Sequence, residues 1–341
     1  MRANSPFMPT DPHVLKRSGF SVGGLSVSIS GEHADDVNLV PSLEPFRIKS
    51  ENSDIKIRVE WVGRFEPKRG HDLFDSGSTW RLSGNEAEFQ FDFSAPFLEG
   101  QAYKRLLIDE SFSFATLQMS EEFFSSGGYE VAPLAYPLDE LLIMHRLTKE
   151  RAIELHGCGI VSADGAGNLF VGHSGAGKST TTRLWTTTQD VEILSDDRII
   201  VRLDEGLVET PRGAGGSHGE QQVLRLRDCS ASRTSRFAQD DRVMRMYGTP
   251  WHGEAAFASP NSTPLTRIMV LEHGYGNVLT RLSPSQAVAE LFARSFVPMH
   301  RHEYVESALE FLQDVAETVP CYRYSFEPDV RAVEKILNLH D

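Results

Sequence analysis

One run of residues constrains this chain more than any other: Val171-Gly172-His173-Ser174-Gly175-Ala176-Gly177-Lys178-Ser179-Thr180. It fits G-x-x-x-x-G-K-[ST] at every fixed position, with Gly172, Gly177, Lys178 and Ser179. Leu169-Phe170-Val171 before it is an apolar strand, and residues 178–187 after it read as a helix. That is the setting a phosphate-binding loop (P-loop) needs. Glycines let the backbone wrap so that amides converge on phosphate oxygens, and the helix N-terminus adds partial positive charge. Lys178 is placed to reach the β- and γ-phosphates, and the Ser179 hydroxyl to ligate Mg²⁺. Gly172, His173, Ser174, Gly175, Ala176, Gly177, Lys178, Ser179 and Thr180 are therefore expected to bind a nucleoside triphosphate, ATP with Mg²⁺.

The rest of the chain sorts around this loop. Leu25, Val27 and Ile29 alternate with serines; Ile55, Ile57, Val59 and Trp61 alternate with charged residues; Phe89, Phe91 and Phe93 alternate with Gln90 and Asp92. A period of two with one apolar face predicts half-buried antiparallel strands. At Pro137 the pattern changes to a helix through Leu138, Leu141, Leu142 and Leu147. This divides the chain into a β-rich N-terminal domain, 1–136, and a second domain, 137–341. In the second, strands (155–161, 168–171, 191–194, 198–203, 268–271, 278–282, 322–326) alternate with helices (178–187, 284–296 capped by Ser283, 303–317, 329–339), which indicates an α/β core. Residues 213–219, rich in glycine, and the charged 225–241 read as a mobile loop region.

Composition excludes several partners. The net charge is −14 over 341 residues, with no basic patch, which argues against nucleic acid and anionic membrane. The three cysteines, Cys158, Cys229 and Cys321, are too few and too widely spaced for a disulfide framework. No signal peptide or membrane-spanning segment is apparent, so a cytoplasmic location is expected.

After the P-loop comes Ile193-Leu194-Ser195-Asp196-Asp197, an apolar strand ending in two acids. One acid can stand near the metal and the other can accept a proton from an attacking hydroxyl. His156 lies in Leu155-His156-Gly157, on the strand before the loop. Gly248-Thr249-Pro250-Trp251-His252-Gly253-Glu254 can line an acceptor pocket or form a surface turn around a packing Trp. Arg212 and Arg245 are candidates to stabilise phosphoryl charge. His300 and His302 have poor spacing for a metal site, and Cys158 reads as packing rather than nucleophile.

In order and spacing, LHGCGIVSADGAGNLFVGHSGAGKST followed by ILSDDRIIV resembles the kinase domain of the HPr kinase/phosphorylase superfamily over residues 153–203. A looser likeness, through GTPWHGEAAF and beyond, is to HPr-kinase-related proteins. The resemblance implies a P-loop core shared with ATP-dependent phosphoenolpyruvate carboxykinases, preceded here by the β-rich domain. It implies that Lys178 and the 172–180 loop hold ATP and that Ser179 and Asp197 stand near Mg²⁺. It further implies that Asp196 is the base, assisted by His156; the two aspartates can exchange these roles. The acceptor would be a hydroxyl, on a serine of a protein or peptide or on a small metabolite, and the chain leaves room for a homo-oligomer. Thr180 replaces the family's Glu after the loop Ser. The Arg-Gly-x-Gly signature has only an echo in Arg212-Gly213-Ala214-Gly215, so the reverse reaction and HPr itself are not carried over. A second reading is an ATPase or accessory nucleotide-binding protein, for example in peptide maturation. A third, carboxykinase-like chemistry, needs a cluster of basic residues that the sequence does not show.

Overall fold

The computed structural model describes residues 15–49, 52–98, 100–127, 129–204 and 242–339. The N-terminal part forms an eight-stranded sheet from β1 (Lys16–Val22), β2 (Leu25–Gly31), β3 (Ile55–Val62), β4 (His71–Asp75), β5 (Trp80–Gly84), β6 (Glu88–Ser94), β7 (Ala102–Asp109) and β8 (Phe114–Ser120). Their order is β1-β2-β3-β8-β7-β6-β5-β4. The alternating segments are strands, but the expected all-antiparallel pairing is corrected: β3 runs parallel to both β2 and β8. After β3 the chain goes to the far edge and meanders back to β8, so first and last strands of that excursion meet in the same direction. Alternation reports which face is buried and is silent on direction.

Two helices follow, α1 (Glu121–Gly127) and α2 (Leu138–Leu147). The apolar stripe of α2 (Leu138, Leu142, Ile143, Leu147) packs into the same core as Phe89, Phe91, Phe93 and Phe112. Ile200 and Trp251 join this core from the later part of the chain, so the two halves share apolar contacts.

Lys104 is buried in this first sheet. Its Nζ donates to the Pro133 carbonyl at 3.0 Å and lies 4.9 Å from the Phe93 ring centre. Burial lowers its pKa to about 8, against the pull of Asp139. The unfolded chain therefore binds this proton more tightly between pH 8 and about 10.5, and native stability rises with pH across that window. The expected slope is at most about 1.4 kcal/mol per pH unit. Urea unfolding at pH 7.5 and 10 should show this rise in the wild type and its loss in Lys104→Met.

The second half contains β9 (Ala152–Val161), β10 (Gly167–Val171), α3 (Lys178–Thr188), β11 (Glu192–Ser195), β12 (Arg198–Asp204), β13 (Val243–Tyr247), β14 (Ser262–His273), β15 (Val278–Arg281), α4 (Pro284–Phe292), β16 (Ser295–Phe296), α5 (His302–Thr318), β17 (Cys321–Phe326) and α6 (Val330–Leu337). Nine strands form one sheet, ordered β10-β9-β12-β13-β14-β17-β15, with β11 and β16 attached to β9. Because β10 also pairs with β14 in parallel, five of these strands close on themselves. The chain is thus mixed α/β with two sheets.

The helix expected to run from Pro284, capped by Ser283, to about 296 stops at Phe292. Its start follows the sequence: Ser283 and Gln286 form a reciprocal capping box with Pro284 in the first turn. Its end does not, because Ser295 and Phe296 turn back to pair with Leu155 and Glu154 of β9. Among the described residues no helix is long and apolar enough to cross a membrane.

Candidate active site

The site is built on one strand. Residues 152–156 of β9 pair with β12, with His156 opposite Arg198; residues 157–161 pair with β10, with Gly157 opposite Val171. At this change of partner the His156 carbonyl accepts from the Gly172 amide at 3.4 Å, and the Gly157 amide donates to the Asp197 carbonyl at 3.0 Å. Two adjacent residues therefore hold the start of the glycine loop on one side and the acidic turn on the other. A Cβ on Gly157 would fall 2.8 Å from the Phe170 carbonyl oxygen, so glycine is needed for the close approach.

The loop leaves β10 at Gly172 and enters α3 through Gly177, whose φ of 103° is left-handed. Gly177 is the N-cap and no side chain caps this end, so the first-turn amides of α3 lack the usual oxygen acceptor. His273, at the end of β14, donates from Nε2 to the Gly175 carbonyl at 2.7 Å and tethers the loop tip. His173, Ser174 and Gly175 are exposed, whereas Lys178 is buried. The ammonium of Lys178 donates back to the Gly172 and His173 carbonyls at 3.0 and 3.3 Å. Burial lowers its pKa; Asp197 opposes that, which places a carboxylate within its field.

The two acids do different things. Asp196 is 2% exposed, and both its oxygens are taken by amides: Oδ1 by Gly253 at 3.0 Å and Oδ2 by Ala255 at 2.9 Å. Asp196, expected as the base, anchors the 253–255 turn through both oxygens. It is Asp197 that meets His156, whose Nε2 donates to Oδ1 at 2.9 Å, while Arg198 donates to Oδ2 at 2.5 Å. Burial would raise the Asp197 pKa, but the His156 hydrogen bond and Arg198 outweigh it and hold the carboxyl below its ordinary value.

Arg198 is itself clamped. Its Nε donates to Glu140 at 2.8 Å and lies 3.4 Å from Glu154, and its guanidinium sits 4.0 Å from the Phe296 ring centre. Glu154 is fully buried, and burial reinforced by Glu140 raises its pKa well above normal despite Arg198. Arg198, Glu140, Glu154 and Phe296 were not singled out by sequence. Only Arg198 had a usable signal, standing directly after the acidic pair. Arg294 was also missed; its carbonyl accepts the His156 amide at 2.7 Å, and its charge acts on Lys178.

Other expected residues fall differently. Trp251 is buried, donating to Asp139 at 2.9 Å, so it packs and does not line a pocket; His252 and Glu254 are exposed. Thr249 donates to the Arg198 carbonyl at 2.8 Å, and with Gly253 on Asp196 this ties 249–255 to the acidic turn. Arg245 is engaged by Ser262 and lies 3.8 Å from Asp204. Cys158 is buried, and burial pushes its thiol up to about 12, which suits packing and not nucleophilic attack. Arg212 to Gly215, the 213–219 and 225–241 segments and Cys229 lie outside the described residues. Among the described residues no group of three or more His, Cys, Asp or Glu side chains is arranged to hold a metal ion. Compared with protein-family models and with curated proteins, the chain matches none.

Proposed function

We propose that the 172–180 loop binds MgATP and that the chain is an ATP-dependent kinase of the HPr-kinase-like class, transferring the γ-phosphoryl group to a hydroxyl. The observation that carries this is the His156–Asp197 hydrogen bond of 2.9 Å, set by one strand beside a glycine loop whose lysine feels the same aspartate. A glycine loop alone speaks only for phosphate binding; a proton-accepting pair next to it speaks for transfer.

Loop amides and the uncapped α3 terminus would hold the phosphates, and Lys178 would leave its two carbonyl partners to meet phosphate oxygens. Mg²⁺ fits this donor set in the manner of a cation held by few protein groups plus phosphate oxygens: Ser179 would contribute its hydroxyl and Asp197 would act through water. The ion would neutralise charge on the phosphates. Asp197, doubly hydrogen-bonded, is a weak base by itself. With Nε2–H of His156 held by Asp197, Nδ1 is the ring nitrogen left to take the acceptor's proton. Asp196 supports the pair by fixing the 253–255 turn against it.

The test is incubation with labelled ATP, Mg²⁺ and serine-containing proteins, peptides or small hydroxylated metabolites, with Lys178→Ala, His156→Gln and Asp197→Asn alongside. Label in an acceptor that disappears in all three variants is the expected result. ATP bound or hydrolysed with no acceptor labelled, and no dependence on His156 or Asp197, would leave the accessory or ATPase role instead.

A further inference from the structure

Glu154 lies on β9 two residues before His156 and has no part in the steps proposed above. It is fully buried, and neither of its oxygens meets a hydrogen-bond donor. Arg198 Nε is 3.4 Å from its Oε1, but the single hydrogen on that nitrogen goes to Glu140 at 2.8 Å. A buried carboxylate without donors is costly, and the neighbouring charges add to the cost. Glu140 and Asp139 act on it from α2, while Arg198 of β12, the guanidinium beside it, already serves Glu140 and Asp197. Tyr304 of α5 borders the same small hollow and brings no positive charge. Three carboxyl groups around one cation are balanced when one of them holds a proton. Glu154, the most buried of the three, is the one that keeps it, and Glu140 is the acceptor within its reach.

This proton bears on the base. From Glu140 the contacts run through Arg198 to Asp197 and on to His156, at 2.8, 2.5 and 2.9 Å. While Glu154 is neutral, Arg198 Nε answers to one negative charge, and Nη1 stays on Asp197. Without the O–H of Glu154, Glu140 loses a donor that fixes its place, and the guanidinium loses its anchor on that side.

We propose that Glu154 is a positioning residue: as a neutral acid donating to Glu140, it seats Arg198 where Arg198 can orient Asp197 and, through it, His156. The proposal rests on the phosphoryl-transfer reading and extends it to a residue that touches neither nucleotide nor acceptor. Two substitutions in the full chain test it. Glu154→Gln cannot ionise and still offers Glu140 an N–H; Glu154→Leu offers no donor. Glu154→Gln should transfer phosphoryl groups at a rate close to wild type. Glu154→Leu should lose kcat at least about tenfold, the worth of one hydrogen bond, with the KM for MgATP unchanged. Its urea unfolding should be no weaker than that of wild type, because an apolar side chain suits a fully buried place.

Unfolding also reads the proton directly. The folded chain holds it well above the ordinary glutamate range, where the unfolded chain releases it, so Glu154 makes wild-type stability fall as pH rises from 5 to 7. Over that range the unfolding constant should climb more steeply in wild type than in Glu154→Gln, by up to about tenfold per pH unit. The same pH dependence in both proteins, or undiminished kcat in Glu154→Leu, would overturn the proposal. A wild type that transfers no phosphoryl group would strike the transfer reading and this role together; transfer that both variants retain would strike the role alone.

Discussion

If the 172–180 loop binds MgATP as proposed, Lys178→Ala will lose that binding while the fold survives. In the wild type the buried ammonium is held by the Gly172 and His173 carbonyls, so it stands ready inside the loop it serves. Two charge-assisted hydrogen bonds to phosphate, each worth about 1.5–3 kcal/mol, disappear with it. Affinity for MgATP should fall at least about a hundredfold in a calorimetric titration. The unfolding midpoint should move little, because burial already disfavours the ammonium at this place and its removal relieves that cost. Lys178→Arg should not rescue binding, since the wide planar guanidinium cannot occupy a seat shaped for a compact ammonium. Wild-type affinity in the alanine variant would remove the nucleotide from the site.

The second large effect separates two neighbours. Asp196→Asn should destabilise the protein by about 2–4 kcal/mol, because an amide NH₂ then faces the Gly253 or Ala255 N–H in a buried place and one donor is left unpaired. Asp197→Asn should cost less than that, since its side chain is a quarter exposed and the amide oxygen can still accept from His156. Phosphoryl transfer should nevertheless fall about 10²–10⁴-fold, through loss of the charge that orients and stabilises a protonated His156. Urea unfolding and single-turnover transfer on both variants give the comparison. Loss of transfer in a fully stable Asp196→Asn protein would return the base to that position.

The contrast shows what the sequence can and cannot disclose here. The loop, its strand and its helix were legible because the motif is contiguous and its chemistry demands that order. That the acids end a strand was legible too, from Ile193 and Leu194. Which acid faces His156 was not, because the answer lies in amides of Gly253 and Ala255, more than fifty residues later in the chain. Arg294 and Phe296 were invisible for a similar reason: each falls where the sequence reads as the end of a helix, and only the return of the chain onto β9 gives it a place. The parallel pairing of β3 escaped because strand direction is set by the route between strands and leaves no mark on alternation.

The shared strand has an evolutionary consequence. The loop and the acidic turn are spliced to neighbouring residues of β9, so any drift in the register of that strand shifts both together and spoils the site at once. Selection can therefore do little with β9 itself. New acceptors would have to be accommodated by segments that approach the acids from outside this strand, chiefly the 252–257 turn with its exposed His252 and Glu254. The chemistry would be inherited as a fixed cassette, and diversity would accumulate along its border.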